Sequence, residues 1–265
     1  MNNVSSTAAS GEMIKTDAAI MNIYVFFSGK EGEMTGDMLI NELGTILKIS
    51  ASVIERYGGR ITQISEAGIS VVFTRDSENA LRCAVEICSN YDRQNETENI
   101  FSLTIGIHYG TVCMGTVGFG SFSTFVAVSG DKSLARRISE LAEPLGAKIL
   151  ITGSAADRIA GFSGRYSSRR LGFVRSRISE RDIELFDVFD GDPAETKYKK
   201  RRSRLFFEKG VELFLAESYL QARSYFIELL KFDRVDKPAK EYIFKCDSFL
   251  ADDKPESSAR YLAVI

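Results

Sequence analysis

Apolar residues recur along this chain with two periods, and the switches between them predict its elements. Ala19 to Ser28 (AIMNIYVFFS) is an apolar run short enough for a buried strand. From Asp37 to Tyr57, Leu39, Leu43, Ile46, Ile49 and Val53 follow helical spacing, and Gly58-Gly59 stops the helix. Arg60 to Phe73 (RITQISEAGISVVF) reads as two strands around a turn at Glu66-Ala67-Gly68. Ser77 to Tyr91 is a second amphipathic helix, and the polar loop Asp92 to Asn99 follows it. The central stretch runs from Leu103 to Ser139. An apolar strand (Leu103, Ile105, Ile107) leads into Gly110. A second segment, Val112 to Val117, is broken by glycines, a third strand covers Phe125 to Val128, and a helix opens near Gly130-Asp131. The glycines at 106, 110, 115, 118 and 120 are too many for an ordinary hairpin, and mark sharp turns or close approaches of the backbone.

Beyond this stretch, Ala147 to Thr152 is a strand, Ser154 to Ile159 a short helix, and Asp182 to Phe189 a final strand. The order β-α-β-β-α-β, with extensions, predicts an α+β fold of the ferredoxin-like kind: an antiparallel-rich sheet with its helices on one face. Thr196 to Arg204 (TKYKKRRSR) is a dense basic cluster that reads as a solvated linker or a helix start. Leu205 to Phe249 is helical throughout. Phe206, Gly210, Leu213, Tyr219, Ala222 and Phe226 sit where a tetratricopeptide repeat places its aromatic, its contact glycine and its packing residues, and Pro238 fits the first turn of a third helix. One and a half repeats bury too little alone, so this all-α segment is expected to dock on the preceding domain or on a partner.

Composition narrows the function. The 265 residues are 44% hydrophobic and 26% charged with a net charge of −2, which gives no global field for nucleic acid. No apolar run reaches the roughly 20 residues of a membrane helix, and the N-terminal stretch lacks a signal-peptide pattern, so a cytoplasmic protein is expected. Cys83, Cys88, Cys113 and Cys246 are scattered and read as reduced thiols. A single histidine, His108, argues against a histidine-rich metal site or relay.

The central stretch resembles the signature of the class III adenylate/guanylate cyclase catalytic domain, R-I-G-I-H-x-G-x-V-x-x-G-x-x-G followed by Y-T-x-x-G-x-x-V-N-x-A-x-R. Ile105-Gly106-Ile107-His108, Gly110, Val112, Gly115, Gly118, Ala135 and Arg137 fall in register without a gap. Gly58-Gly59 through Phe73 fits a second motif, G-G-x-x-x-K-x-x-G-D-x-x-x-x-x-F, and the strand before Ser28 fits a third. The resemblance covers roughly residues 20 to 190. It implies a dimer whose active site forms between subunits, two metal ions held by carboxylates, and a nucleoside triphosphate substrate.

The scaffold matches and the chemistry departs. The resemblance puts Gly29 and Ala67 at the two metal aspartates, Gln63 at the purine-reading lysine, Val126 at its companion and Ser133 at the ribose asparagine, and leaves Arg137 as a relic of the transition-state arginine. Glu31 and Glu66 are displaced along the chain from the metal positions, and the segment carrying Glu31 and Glu33 is shortened and would repel a triphosphate. The expectation is a catalytically inactive cyclase-like protein that acts by dimerisation or partner binding, with no cofactor and no metal. An alternative is the non-catalytic subunit of a heterodimeric cyclase. Another is a weak cyclase, which would need Mg²⁺ or Mn²⁺ with ATP or GTP. Phe206, Leu213, Tyr219 and Phe226 are the candidates for contact with a protein partner. The expected divisions are a flexible tail (1–18), the cyclase-homology domain (19–190), a basic linker (191–204), repeat-like helices (205–250) and a tail (251–265).

Overall fold

The structure is a computed structural model that describes residues 9–10, 13–27, 35–66, 68–94, 101–119, 122–177, 180–251 and 260–265. A short strand β1 (Ala9–Ser10) precedes β2 (Ile14–Phe27), and helix α1 (Gly36–Arg56) follows, capped by the Thr35 hydroxyl. The hairpin β3 (Arg60–Ser65) and β4 (Gly68–Phe73) leads to α2 (Ser77–Gln94). Next come β5 (Phe101–Phe119), β6 (Phe122–Val128) and α3 (Gly130–Ala142). Strand β7 (Ile149–Thr152) runs into two single turns, α4 (Gly153–Ala156) and α5 (Phe162–Arg165), ahead of β8 (Ser168–Arg175) and β9 (Asp182–Val188). Three helices follow, α6 (Ala194–Leu215), α7 (Tyr219–Phe232) and α8 (Lys237–Ala251), and then β10 (Ala263–Val264).

The described strands form one mixed sheet in the order β10-β8-β9-β7-β5-β2-β4-β3, with β1 and β6 pairing on the far part of β5. Its ladders are antiparallel except β5 with β7 and β8 with β10. Strand β5 runs unbroken for 19 residues, where separate segments were expected. Its glycines serve close approach. A Cβ at Gly106 would stand 2.4 Å from the Ala135 carbonyl oxygen and 2.5 Å from the Ser139 amide, so α3 lies directly on the strand.

The expectation of helices on one face is corrected: they cover both. Strand alternation sends Met21, Ile23, Ile105, Ile107 and Ile149 to a core shared with Ile46, Ile54, Leu81 and Ile87 of α1 and α2. The intervening Leu150, Leu171 and Leu185 join Ile138 of α3 and Phe207, Val211, Phe226 and Tyr242 of α6 to α8 in a second core. Strand β7 is therefore apolar on both sides. Each fully enclosed aliphatic side chain contributes about 1.5–3 kcal/mol on either face. A smaller cluster, Ala18, Val72, Val112 and Ala127, lies apart from both.

Several expected boundaries shift. The strand predicted from Ala19 begins at Ile14, inside the expected N-terminal tail, and Ala9–Ser10 pairs with β5. The basic cluster is the first half of α6 and not a linker, because Lys200 is drawn into the protein by carboxylates. Strand β8 was not anticipated. In the expected C-terminal tail, the Leu262 amide donates to the Phe173 carbonyl at 2.7 Å and ties 260–265 to the sheet.

The C-terminal helices dock on the sheet of their own chain through aromatic packing and buried ions. Phe226 stacks on Tyr242 with centroids 4.9 Å apart, and the Tyr242 hydroxyl donates to the Leu171 carbonyl at 2.7 Å. Arg169 of β8 donates to Asp187 of β9 at 3.1 Å and also to Asp236, just before α8. Lys200 of α6 lies 2.9 Å from Asp187 and 2.7 Å from Asp192. Lys200 is the cation that faces the buried Asp192 carboxylate. Burial pushes the Asp192 carboxyl above its ordinary value, although Lys200 pulls the other way.

Candidate functional site

Four strands, β2, β3, β4 and the end of β6, converge with the start of α3 on a polar cleft of about 320 Å³. Asn22 comes from β2, Gln63 and Ser65 from β3, Ser70 from β4, and Ser129, Lys132, Ser133 and Arg136 from the cap and exposed side of α3. The floor is fixed by Asn22, which is 2% exposed. Its amide nitrogen donates to the Ser139 hydroxyl, and its oxygen accepts from the Ser70 hydroxyl, both at 2.9 Å. Ser139 is held in turn, since its carbonyl accepts from the Thr104 hydroxyl at 2.6 Å. A buried amide with both ends satisfied is a rigid element.

The α3 wall is cationic. Half-burial pushes the Lys132 ammonium below its ordinary value, and among the described residues no carboxylate pairs with it. Arg136 pairs with Glu140 one turn on, at 2.7 Å. The first turn of α3 is anchored by Asp131, whose carboxylate accepts from the Thr111 amide at 3.0 Å. His108 beside it, with Nε2 3.7 Å from Oδ1, holds that carboxyl below its usual range. The other nitrogen of His108 meets the Thr152 hydroxyl at 3.1 Å, which gives this histidine a structural role.

Of the residues singled out in the sequence, Gln63 and Ser133 line the cleft. Val126 lies on β6 beside the lining residue Ala127, and Arg137 is exposed on α3 outside the lining. Gly29, Ala67, Glu31 and Glu33 lie outside the described residues, and Glu66 is exposed at the β3–β4 turn. Two cations, amides and hydroxyls are a poor donor set for a divalent ion, which prefers carboxylate oxygens. Among the described residues no group of three or more His, Cys, Asp or Glu could hold a metal. The lining of the α3 cleft therefore does not fit the metal pair implied by the resemblance, whose own positions, Gly29 and Ala67, lie outside the described residues.

The four partner candidates divide. Phe226 is fully enclosed, with its ring against Gly210, Phe207 and Tyr242, so it holds the fold and offers no contact surface. Leu213 and Tyr219 are partly buried against the second core, and Tyr219 stacks on Phe249 at 4.4 Å. Phe206 is 37% exposed beside Tyr225 and Phe232. Two of the thiols, Cys83 and Cys88, are pushed up to about 12 by burial and are inert at neutral pH.

No protein-family model matches the chain. It is 24% identical over 244 residues to the terminal-differentiation-specific adenylate cyclase of Dictyostelium discoideum, a match covering 87% of this chain and 12% of that protein. To the adenylate cyclase of Anabaena cylindrica it is 30% identical over 159 residues, covering 55% of this chain and 31% of the other. The chain thus spans less than a third of these relatives. Among solved structures, a bacterial light-regulated adenylyl cyclase superposes with a TM-score of 0.59 at 17% identity, covering 72% of this chain and 56% of that one. The guanylyl cyclase Cya2 gives 0.55 at 20% identity over 68% and 94%. The dimeric guanylyl cyclase domain of the RhoGC fusion protein from Blastocladiella emersonii gives 0.51 at 13% over 67% and 97%. The fold is that of an adenylate/guanylate cyclase catalytic domain.

The Dictyostelium match is too long for the sheet of this cyclase-type domain alone, and reaches into the C-terminal helices. Among the described residues no helix is long and apolar enough to cross a membrane. Sequence reading missed Asn22, Lys132 and Arg136 as cleft residues. A signal was present on α3: Ser129, Lys132, Ser133 and Arg136 follow the i, i+3, i+4, i+7 spacing of one helix face.

Proposed function

We propose that this cyclase-type domain acts by pairing with a domain of its own kind and does not itself form a cyclic nucleotide. The observation that carries this reading is the residue set at the family's reacting positions. Gly29 and Ala67 have no side-chain oxygen for a metal, and Gln63, Val126 and Ser133 replace the groups that read purine and ribose. Metal ions contribute several kcal/mol to such a displacement, and each 1.4 kcal/mol lost is a factor of about ten in rate. The chain's own residues support binding of polar groups in the α3 cleft, through Lys132, Arg136 and Gln63, without supplying the reaction.

Association is supported by the part of the sheet left outside both helix-covered cores. Val117 and Val128 are 56% and 64% exposed on the β5–β6 ribbon, next to the small apolar cluster of Ala18, Val112 and Ala127. A dimeric guanylyl cyclase domain among the structural neighbours points the same way. Phe206, with Tyr225 and Phe232, is the surface on the C-terminal helices where a further protein partner would dock.

The test is to incubate the purified chain with ATP and GTP in Mg²⁺ and Mn²⁺ while its mass is followed by sedimentation. No cyclic nucleotide and a concentration-dependent dimer are expected. Metal-dependent turnover that vanishes in Glu66→Ala would overturn the inactive reading. A second reading, a subunit lending Arg137 to an active partner, is favoured by the exposure of that guanidinium without a carboxylate among the described residues. In that case Arg137→Ala lowers the partner's turnover and leaves the complex intact.

A further inference from the structure

A second and larger cleft, about 690 Å³, opens further along the same sheet face. We infer that it binds an organic anion with a flat, apolar body and a phosphate or carboxylate head. The inference goes beyond the pairing proposed above and does not depend on it.

Strand alternation assembles the site. Positions 14, 16 and 18 of β2 face away from the α1–α2 core, as do Val72 of β4 and Met114 of β5. Arg60 pairs with Val72 across β3 and β4, and Phe125 of β6 pairs with Thr116 of β5. The floor is apolar: a valine, a methionine and an aromatic ring. The rim carries Arg60 and Arg75, with the hydroxyls of Thr74 and Thr116 between apolar neighbours.

Charge decides the class of ligand. The chain has 36 acidic and 34 basic residues, and ten of its twenty arginines, all of them described, meet a carboxylate. Arg60 and Arg75 do not, and no Asp or Glu lines the cleft. The Arg60 guanidinium instead lies over the Phe125 ring, 3.3 Å from its centre. Stacking uses the face of a guanidinium and leaves its N–H edge, which is matched to carboxylate and phosphate oxygens. The stack also extends a flat surface beside the floor, onto which a planar body can lie. The volume falls within the range of about 300–1,000 Å³ typical of small-molecule sites. A bare inorganic anion would leave the floor wet, and a neutral apolar molecule would leave both arginines without a partner.

The probe is 1-naphthyl phosphate, titrated into the full chain carrying ¹³C-methyl methionine. A saturable shift of the Met114 methyl is expected, with the enclosed Met21 methyl unmoved. Inorganic phosphate lacks the body and 1-naphthol lacks the charge, and each should bind at least about tenfold more weakly. The 1-naphthoate arm separates a carboxylate preference from a phosphate preference. Arg60→Ala and Arg75→Ala should each weaken naphthyl phosphate about tenfold. Both positions are exposed, and an unchanged Met21 signal reports an intact fold. The proposal is overturned if Met114 does not respond at millimolar probe, if both arginine variants bind as well as the parent, or if phosphate or naphthol alone matches the naphthyl phosphate. Self-association is read separately by sedimentation, so either idea can fail without the other.

Discussion

The two faces of the sheet are closed by different means. Against α1 and α2 the strands meet aliphatic side chains, with the Tyr91 hydroxyl on Glu42 at 2.6 Å as a buried polar contact. Against α6 to α8 they meet stacked rings and a cluster of two cations and three carboxylates, Arg169, Lys200, Asp187, Asp192 and Asp236. Toward β3, β4 and β6 the second face stays open as two clefts, and α3 walls only the smaller one. An apolar face tolerates modest repacking, whereas buried ions tolerate one arrangement, because a displaced charge loses its partner in a medium that cannot solvate it. The first face builds the domain, and the second fixes the position of an appendage and leaves room for other molecules.

This contrast can be broken. The largest effect is expected from Arg169→Met, which leaves Asp236 without its cation and Asp187 with Lys200 alone, and should cost about 3–5 kcal/mol in denaturant unfolding. Ile149→Val on the first face should cost only about 0.5–1.5 kcal/mol. Equal losses would erase the distinction. Phe226→Ala, fully enclosed, should also cost about 3–5 kcal/mol, and Phe206→Ala at the surface within about 0.5 kcal/mol. Similar melts for these two would contradict the packing of α7.

A smaller, pH-dependent effect sharpens the comparison. Asp192 has a raised carboxyl in the folded state, so its contribution to stability is full below the ordinary aspartate value and fades as pH rises through the raised one. Asp192→Asn removes that fading. Thermal melts across the mildly acidic range should therefore show the variant gaining on the parent as pH rises, and parallel curves would refute the shift. Arg137→Ala comes last, with a stability change within about 0.5 kcal/mol, since the side chain is exposed on α3.

Legibility in the sequence follows the same division. The elements of the first face were read from apolar spacing: α1, the β3–β4 hairpin and α2 lie within a few residues of their expected bounds, as does α3 on the second face. Strand β8 (SRRLGFVR) escaped because its arginines look like solvent-facing residues, yet Arg169 is 1% exposed and Arg170 is paired with Glu184. Lys200 hid in a basic cluster in the same way. Charge patterns report what a residue is and not which carboxylate waits for it from a distant strand. The glycines at 106 and 110 were correctly suspected of close approach, but only contact with α3 reveals what approaches. For the α3 cleft, the family positions Gln63 and Ser133 were legible, and the cations beside them became visible once the strands were aligned.

The length of β5 has a consequence for the order in which this chain folds. Its partner β6 follows directly, so that ribbon closes at little entropic cost, but β2 lies far upstream and pairs from Ile14–Met114 through Phe27–Phe101. Strand β7 joins the same stretch of β5 from downstream, at Ile105 to Ile107. Two distant segments must therefore find one strand in register before either core can close. Such non-local pairing is slow to form. The β8–β9 hairpin and α6 to α8 gain their binding surface only after β7 is in place, so the ionic cluster assembles late, as a lock on a sheet that is already built.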